Sequence, residues 1–489
     1  MDFASVLKQE LTHTTTENGC LANNTTGNRL LDLFSTIGAL RDADKDRIIE
    51  LFSEAYADNP LLAMKCLFYV RDIRQGQGER RVFRVILKWL ANKYPESVKP
   101  NIPFIGFFGR LDDLYVLVDT TLEDAMWEYM KLLLDLDTEA MKKGKPCSLL
   151  AKWMYTPTRT NPERKAIGIK SIKALGFKNS KEFRKRITSL RSYLNIVEVK
   201  MSAKEWSEID YEKVPARAAL RYRECFNRND NERYSEYISK LIEGKAKINS
   251  STLYPYDIVG KYWDSLYYGN KIEDPILEEQ WKALPNYVDG ENSAIVIADV
   301  SGSMVGRPIN SSIGLAIYFA QRNKGPFHNI YMEFSSNSRL LKISENVPLI
   351  TNIRNVFHSE WGGTTNLEAA FEKILDLAVQ YKVPANEMIK SLIVISDMEI
   401  DQCEMSGWSF YDEMSKRYED KGYKIPSVVF WNVDSRNNVF HADASRKGVI
   451  LVSGNSTTTF KNILNSTDKT PVAMMMEVLN DPRYDIITV

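Results

Sequence analysis

Three unbroken apolar runs, Ala294-Ile295-Val296-Ile297, Leu392-Ile393-Val394-Ile395 and Val428-Val429-Phe430-Trp431, constrain the fold more than any other feature of this 489-residue chain. Each is strand-length, and a strand that is apolar at every position must be covered on both faces, as in a parallel sheet with helices on either side. The intervening segments carry helical spacing. The pattern predicts strand 293–299, helix 309–323, strand 329–335, helix 367–381, strand 391–396, helix 408–421, strands 427–433 and 448–452, and closing helices near 458–465 and 470–479. This is a doubly wound, Rossmann-like α/β unit, whose ligand site belongs at the carboxyl ends of its strands.

The first 250 residues read differently. Apolar positions recur at three and four residues in Leu30-Leu31-Leu33-Phe34, in Leu61-Leu62-Met64-Leu67-Phe68 and in Val82-Phe83-Val85-Ile86-Trp89-Leu90, which predicts a succession of helices with little strand. Asp58-Asn59-Pro60 opens one helix, and Asn101-Ile102-Pro103 lies in a break between two others. Medium-length helices in antiparallel pairs stack into an α-solenoid, so a HEAT-like helical repeat array is expected. Between 251 and 291 the character changes, with Pro255, Pro275, Pro285 and the turn Val288-Asp289-Gly290-Glu291-Asn292. The expected fold is therefore α plus α/β, with a helical domain over 1–285 and the sheet domain over 286–489.

The carboxyl ends of the predicted strands are rich in oxygen donors. Asp299-Val300-Ser301-Gly302-Ser303 follows the first strand, Gly362-Gly363-Thr364-Thr365-Asn366 precedes a helix, and Asp397 follows Ser396 directly after another strand. Carboxylates and hydroxyls are hard ligands, and Mg²⁺ takes about six oxygens, several of them from water. The alternative is that Asp299 and Ser303 cap the next helix and Asp397 starts a turn. Taken together, the pattern Asp-x-Ser-x-Ser, then Thr, then Asp resembles von Willebrand A domains with a metal-ion-dependent adhesion site. The resemblance implies Mg²⁺ or Mn²⁺ held directly by Ser301 and Ser303, by Thr365 directly or through water, and by Asp299 and Asp397 through water. Thr364 is the alternative to Thr365. It also implies a coordination position left for an acidic side chain of a partner protein, hence binding rather than catalysis.

Lys and Arg total 64, as do Asp and Glu, yet the zero net charge hides an asymmetry. From Met141 to Arg191 there are fifteen Lys and Arg against two acids, Glu163 and Glu182. Such a stretch suits an anionic partner, although a solvated face neutralised by acids elsewhere is the plainer alternative. Basic residues interleaved with Trp153, Tyr155, Phe177 and Phe183 fit RNA, because cations neutralise phosphates and rings stack on bases, although Trp153, Phe177 and Phe183 are more readily read as core than as stacking platforms. The RNA candidates are Lys142, Lys143, Lys145, Lys152, Arg159, Arg164, Lys165, Lys170, Arg184, Lys185 and Arg186. By contrast Arg71, Arg74, Arg80, Arg81 and Arg84 lie beside Asp72, Glu79, Asp112 and Asp113 and are expected to pair with them structurally.

Phe68-Tyr69-Val70-Arg71-Asp72-Ile73-Arg74-Gln75-Gly76-Gln77-Gly78-Glu79-Arg80, Gly109-Arg110-Leu111-Asp112-Asp113-Leu114, Ala151-Lys152-Trp153-Met154, Tyr211-Glu212-Lys213-Val214-Pro215-Ala216-Arg217 and Ser396-Asp397-Met398-Glu399 form an ordered series. The series resembles a family of uncharacterised plant and giant-virus proteins, itself similar to the TROVE module of the Ro ribonucleoprotein autoantigen. That resemblance implies helical repeats closed into a ring by the A domain, with small structured or misfolded RNA on the basic outer surface and single-stranded ends in the central hole.

The function expected is a non-catalytic RNA-binding scaffold, with a metal-dependent protein adaptor lacking RNA as the alternative. A metal-dependent hydrolase needs a general base at the ion and more anionic charge than a serine-rich site supplies. Five scattered cysteines (Cys20, Cys66, Cys147, Cys225, Cys403) and four histidines (His13, His328, His358, His441) show no zinc-ligand spacing. No apolar run reaches 18 residues, and the first twenty residues carry acids and hydroxyls in place of a basic end and apolar stretch. A monomeric cytoplasmic protein without membrane contact is expected.

Overall fold

The computed structural model describes residues 11–158, 160–269, 273–358, 362–402, 409–466 and 468–489. Among them, asparagines set several helix starts: Asn28, Asn59, Asn161 and Asn179 cap the helices Arg29–Ile37, Pro60–Arg71, Pro162–Ala174 and Ser180–Tyr193 by accepting a backbone N–H two or three residues into the helix. Helix Arg81–Lys93 buries Val82, Phe83, Ile86, Leu87, Leu90 and Ala91, the three-and-four spacing that places one stripe on the core. The prolines of the 251–291 segment open helices: Pro255 and Pro275 occupy the first positions of Pro255–Tyr267 and Pro275–Lys282.

The helical region differs from its expectation at its start. Strands β1 (His13–Thr15) and β2 (Leu21–Asn23) form an antiparallel hairpin ahead of the first described helix. At three residues each they are too short for their alternation to register in the sequence.

Beyond residue 293 lie β3 (Ala294–Asp299), β4 (Ile330–Phe334), β5 (Ser338–Lys342), β6 (Ser391–Ser396), β7 (Ser427–Asn432) and β8 (Val449–Ser453). They make one six-stranded sheet in the order β5-β4-β3-β6-β7-β8, parallel except for β5, which runs antiparallel to β4. Both β3 and β6 are buried at every residue, which matches their continuous apolar runs. Strand β5 and the helix Leu349–Phe357 were not expected, since β5 is an exposed edge of mixed sequence, Ser-Arg-Leu-Leu-Lys.

The two parts share one continuous hydrophobic core, while a smaller cluster around Tyr211, Phe226, Tyr234 and Tyr237 stands apart from it. Both ends of the helical region rest on the sheet region. Helix Arg29–Ile37 packs on β7 and β8, and Pro255–Tyr267 packs on Arg307–Arg322 and Leu349–Phe357. Glycines permit both approaches: a Cβ on Gly38 would lie 2.8 Å from the backbone of Ser453 and Gly454, and one on Gly314 would lie 2.9 Å from Pro255. The chain ends are exchanged between the parts. The β1–β2 hairpin pairs with residues 401, 409 and 440 of the sheet region, while Arg483 bonds Asp72 and Thr488 exchanges hydrogen bonds with Asn101 of the helical region.

Candidate functional site

In the observed strand order the chain leaves β3 in one direction for β4 and returns on its other side with β6, so the loops after β3 and β6 flank the switch point at which such sheets form their ligand crevice. Asp299 ends β3 and Asp397 follows β6, and both carboxylates are buried, at 0% and 2% exposure. Asp299 accepts from the Ser301 N–H at 2.8 Å and from the Ser396 hydroxyl at 2.6 Å. The Ser301 and Ser303 hydroxyls lie 3.1 Å apart. Neither Asp299 nor Ser303 caps a helix here: the short 3-10 helix Gly302–Met304 starts at Ser301 and Arg307–Arg322 at Gly306, both with no side-chain cap.

The third loop reaches the crevice through the backbone: the Asp401 N–H donates to the Thr365 carbonyl at 3.0 Å. Thr365 is buried and its hydroxyl accepts from Asn18 at 3.4 Å, whereas Thr364 is exposed and its hydroxyl bonds Ser336 at 2.9 Å. Burial therefore favours Thr365 over Thr364 as the donor facing inward.

Burial and the neighbouring Asp397 push the Asp299 carboxyl up to about 7. The cause is an uncompensated negative charge: the Arg436 guanidinium lies 2.9 Å from Asp397, but no Lys or Arg pairs with Asp299 among the described residues. Three hydroxyls and two carboxylates with a deficit of positive charge fit a hard divalent cation such as Mg²⁺. Among the described residues no group of three His, Cys, Asp or Glu side chains is placed to hold a metal ion, so a cation here must rely on hydroxyls. Glu399 is engaged elsewhere, accepting from the Glu17 N–H at 2.7 Å and from Asn437 at 3.0 Å. Sequence reasoning did not assign roles to Ser396, Asn18 or Arg436. Ser396 adjoins Asp397 and was legible in principle, but Asn18 and Arg436 arrive from distant segments without a local signal.

The helical region surrounds a second site, a cavity of about 2700 Å³. Its lining includes sixteen Lys and Arg, among them Arg71, Arg80, Arg110, Lys152, Arg164, Arg191, Arg217, Arg221, Arg223 and Lys261, against six acids. Several arginines lie over aromatic faces: Arg110 is 3.8 Å from the Trp153 ring centre and Arg164 is 5.4 Å from that of Tyr155. Part of the charge is structural, as expected. Arg71, buried at 1% exposure, bonds Asp113 at 2.8 Å, and Arg80 and Arg84 hold Asp112 and Asp113. Arg74 and Arg81 instead donate to carbonyl oxygens of Phe107, Arg41 and Ala43.

Of the RNA candidates, Lys152 and Arg164 line the cavity. Lys143, Lys145, Lys165, Arg184 and Lys185 are exposed and make no ion pair with a described residue. Lys142 pairs with Glu139 at 2.7 Å, Lys170 with Glu123 at 2.6 Å, and Arg186 with Asp135 at 2.6 Å, so acids of the helix Glu123–Lys142 and the turn before it neutralise part of the stretch. Arg159 lies outside the described residues. The aromatic candidates divide. Phe177 and Phe183 are core residues, whereas Tyr155, buried and stacked on Tyr115 at 4.3 Å, and the half-buried Trp153 both border the cavity. The cavity's other arginines come from the helices Pro60–Arg71, Arg81–Lys93, Ser180–Tyr193 and Ala216–Asn229 and from connecting segments, so no sequence window collects them.

A family model described as a domain of unknown function, DUF2828, matches residues 16–166 and 147–291, and another, DUF7788, also a domain of unknown function, matches residues 293–481. The uncharacterized protein L728 of Acanthamoeba polyphaga mimivirus is 28% identical over 504 residues, spanning 95% of this chain and 86% of the viral protein. The crystal structure of the Deinococcus radiodurans Ro (RSR) protein aligns with 93% of this chain and 99% of its own at 14% identity and a TM-score of 0.46. Among the described residues no helix is long and apolar enough to cross a membrane.

Proposed function

This chain belongs to the DUF2828 family, and for it we propose a non-catalytic RNA-binding scaffold that also holds a partner through a Mg²⁺-dependent adhesion site. The observation that carries the RNA reading is the cavity lining of sixteen basic residues against six acids. At about 2700 Å³ the cavity exceeds the roughly 300–1,000 Å³ of a small-molecule pocket. Arginine over a half-buried ring offers both a phosphate contact and a stacking face, the two elements of single-strand binding. The exposed cations Lys143, Lys145, Lys165, Arg184 and Lys185 extend the basic surface outward, where structured or misfolded RNA would lie.

At the crevice, Ser301, Ser303 and Thr365 would hold the cation, with Asp299 and Asp397 supplying the negative charge behind them. Mg²⁺ bound there would offer an electrophilic centre to an outside carboxylate. The von Willebrand A reading of the sheet region belongs to this proposal.

The protein-only adaptor is favoured by one observation: Lys142, Lys170 and Arg186 are already paired within the chain. Binding of a labelled single-stranded RNA, titrated from low to high salt, separates the two. The scaffold predicts binding at about 50 mM salt that weakens steeply by 200 mM. No binding at low salt would leave the adaptor. For the crevice, Mg²⁺ or Mn²⁺ should raise the melting temperature of the wild type and not of Asp299→Ala or Ser303→Ala.

A further inference from the structure

A guanidinium already stands beside the crevice. Arg436 lies 2.9 Å from Asp397 and 3.2 Å from Glu17, so one side chain ties a proposed cation-holding carboxylate to the N-terminal hairpin. The segment 16–20 between β1 and β2 is fastened over the same loops. The Glu17 N–H donates to Glu399 at 2.7 Å, and Asn437 donates to both Glu17 and Glu399, at 2.9 and 3.0 Å. Asn18 donates to the Glu399 carbonyl at 2.7 Å and, more weakly at 3.4 Å, to the Thr365 hydroxyl. Segment 16–20 thus touches two of the five side chains assigned to the cation, Thr365 directly and Asp397 through Arg436.

We propose that Arg436 is a resident competitor for the divalent cation, and that segment 16–20 is a latch which cation binding loosens. The inference rests on the crevice being a cation site. Its physical basis is charge. Asp397 cannot give its full field to both a guanidinium and a divalent ion, and the two positive groups repel across a few ångströms. An ion that draws Asp397 inward takes from Arg436 the buried member of its two carboxylate partners and leaves Glu17 held through an exposed pair. An ion that uses the Thr365 hydroxyl also weakens the long bond from Asn18. The strap would then loosen over the face where a partner's acid must approach, so cation and partner binding would reinforce each other.

The test uses the full chain, Mn²⁺ alone as the probe, and two readouts. Arg436 is partly exposed and its field is screened, so Arg436→Gln should tighten Mn²⁺ binding by about three- to tenfold, and Arg436→Lys should retain near wild-type affinity. The second readout is Cys20, buried at 1% exposure on the strap. Saturating Mn²⁺ should speed its labelling by a thiol reagent by about two- to fivefold in the wild type, the loss of one surface-type ion pair. In Arg436→Gln labelling should already be fast without the metal.

Equal or weaker Mn²⁺ binding by Arg436→Gln, with Asp299→Ala still abolishing it, would overturn the competition while leaving the cation site standing. Cys20 labelling that is unchanged or slowed by Mn²⁺ in the wild type would overturn the latch. Absence of any Mn²⁺ binding sensitive to Asp299→Ala would remove the cation site itself, and the latch with it.

Discussion

The crevice at the strand ends and the cavity among the helices both concentrate ionised groups, but with opposite surpluses. Beside the cavity two buried carboxylates are overmatched: Asp113 accepts from Arg71 and Arg84, and Asp112 from Arg80 and Arg110, with further arginines left over on the wall. In the crevice one guanidinium, Arg436, meets the buried Asp397, and among the described residues none meets the buried Asp299. The difference shows that burial alone does not make a charge structural. A carboxylate with more than its share of cations stabilises the fold, and one with less is held at a cost until something positive arrives.

Substitution of the same residue type in the two places should therefore have opposite signs. Asp113→Asn leaves the buried Arg71 without its counter-charge and should lower unfolding stability by about 3–5 kcal/mol in denaturant titration. A loss below about 1 kcal/mol would break the contrast. Asp299→Asn should raise the stability of the metal-free protein at pH 8 by about 1–3 kcal/mol. The sign follows from protons. Folded Asp299 keeps its proton up to about pH 7 and the unfolded chain releases it near 3.8, so metal-free stability should fall as pH rises through that window. The fall should be absent in Asp299→Asn and reduced by Mg²⁺; a wild-type profile without it would refute the charge deficit.

Smaller effects sharpen the comparison within the basic surface. Replacing both Lys152 and Arg164 by Ala at the cavity wall should reduce the salt dependence of RNA binding by about one to two phosphate contacts, measured as the slope of log K against log salt. Lys142→Ala, which breaks an exposed pair with Glu139, should change stability by less than about 0.5 kcal/mol and leave that slope nearly unaltered.

The crevice was legible from the sequence because each of its three loops is a contiguous motif following a strand or preceding a helix whose apolar run is itself unmistakable. Asp299, Ser301 and Ser303 lie within five residues, and β3 and β6 that present the aspartates could be read as doubly covered strands. What escaped was whatever depended on distant chain. Strand β5 is an edge with a mixed pattern, the β1–β2 hairpin is too short to show alternation, Asn18 reaches the crevice only through that hairpin, and Arg436 reaches it from the loop after β7. The cavity was legible only in part: of the fifteen Lys and Arg between 141 and 191, Lys152, Arg164 and Arg191 line it. The arginines that line it from 71 to 84 were read as structural, and several of them, such as Arg71 and Arg84, bond Asp113 within the fold while lining the cavity.

The exchange of the chain ends has a consequence for biosynthesis. Glu17 and its partner Glu399 are separated by 382 positions, so at about 5–20 residues per second the ribosome leaves the hairpin unpaired for roughly 20–80 s. Helix pairs close in sequence can form during that wait, but the crevice cannot be covered until Glu399 has emerged, nor can Asp72 meet Arg483, 411 positions away, until Arg483 has. The hairpin is thus among the last elements to reach its place, and closing the crevice is coupled to synthesis of segments 382 and 411 positions downstream of their partners.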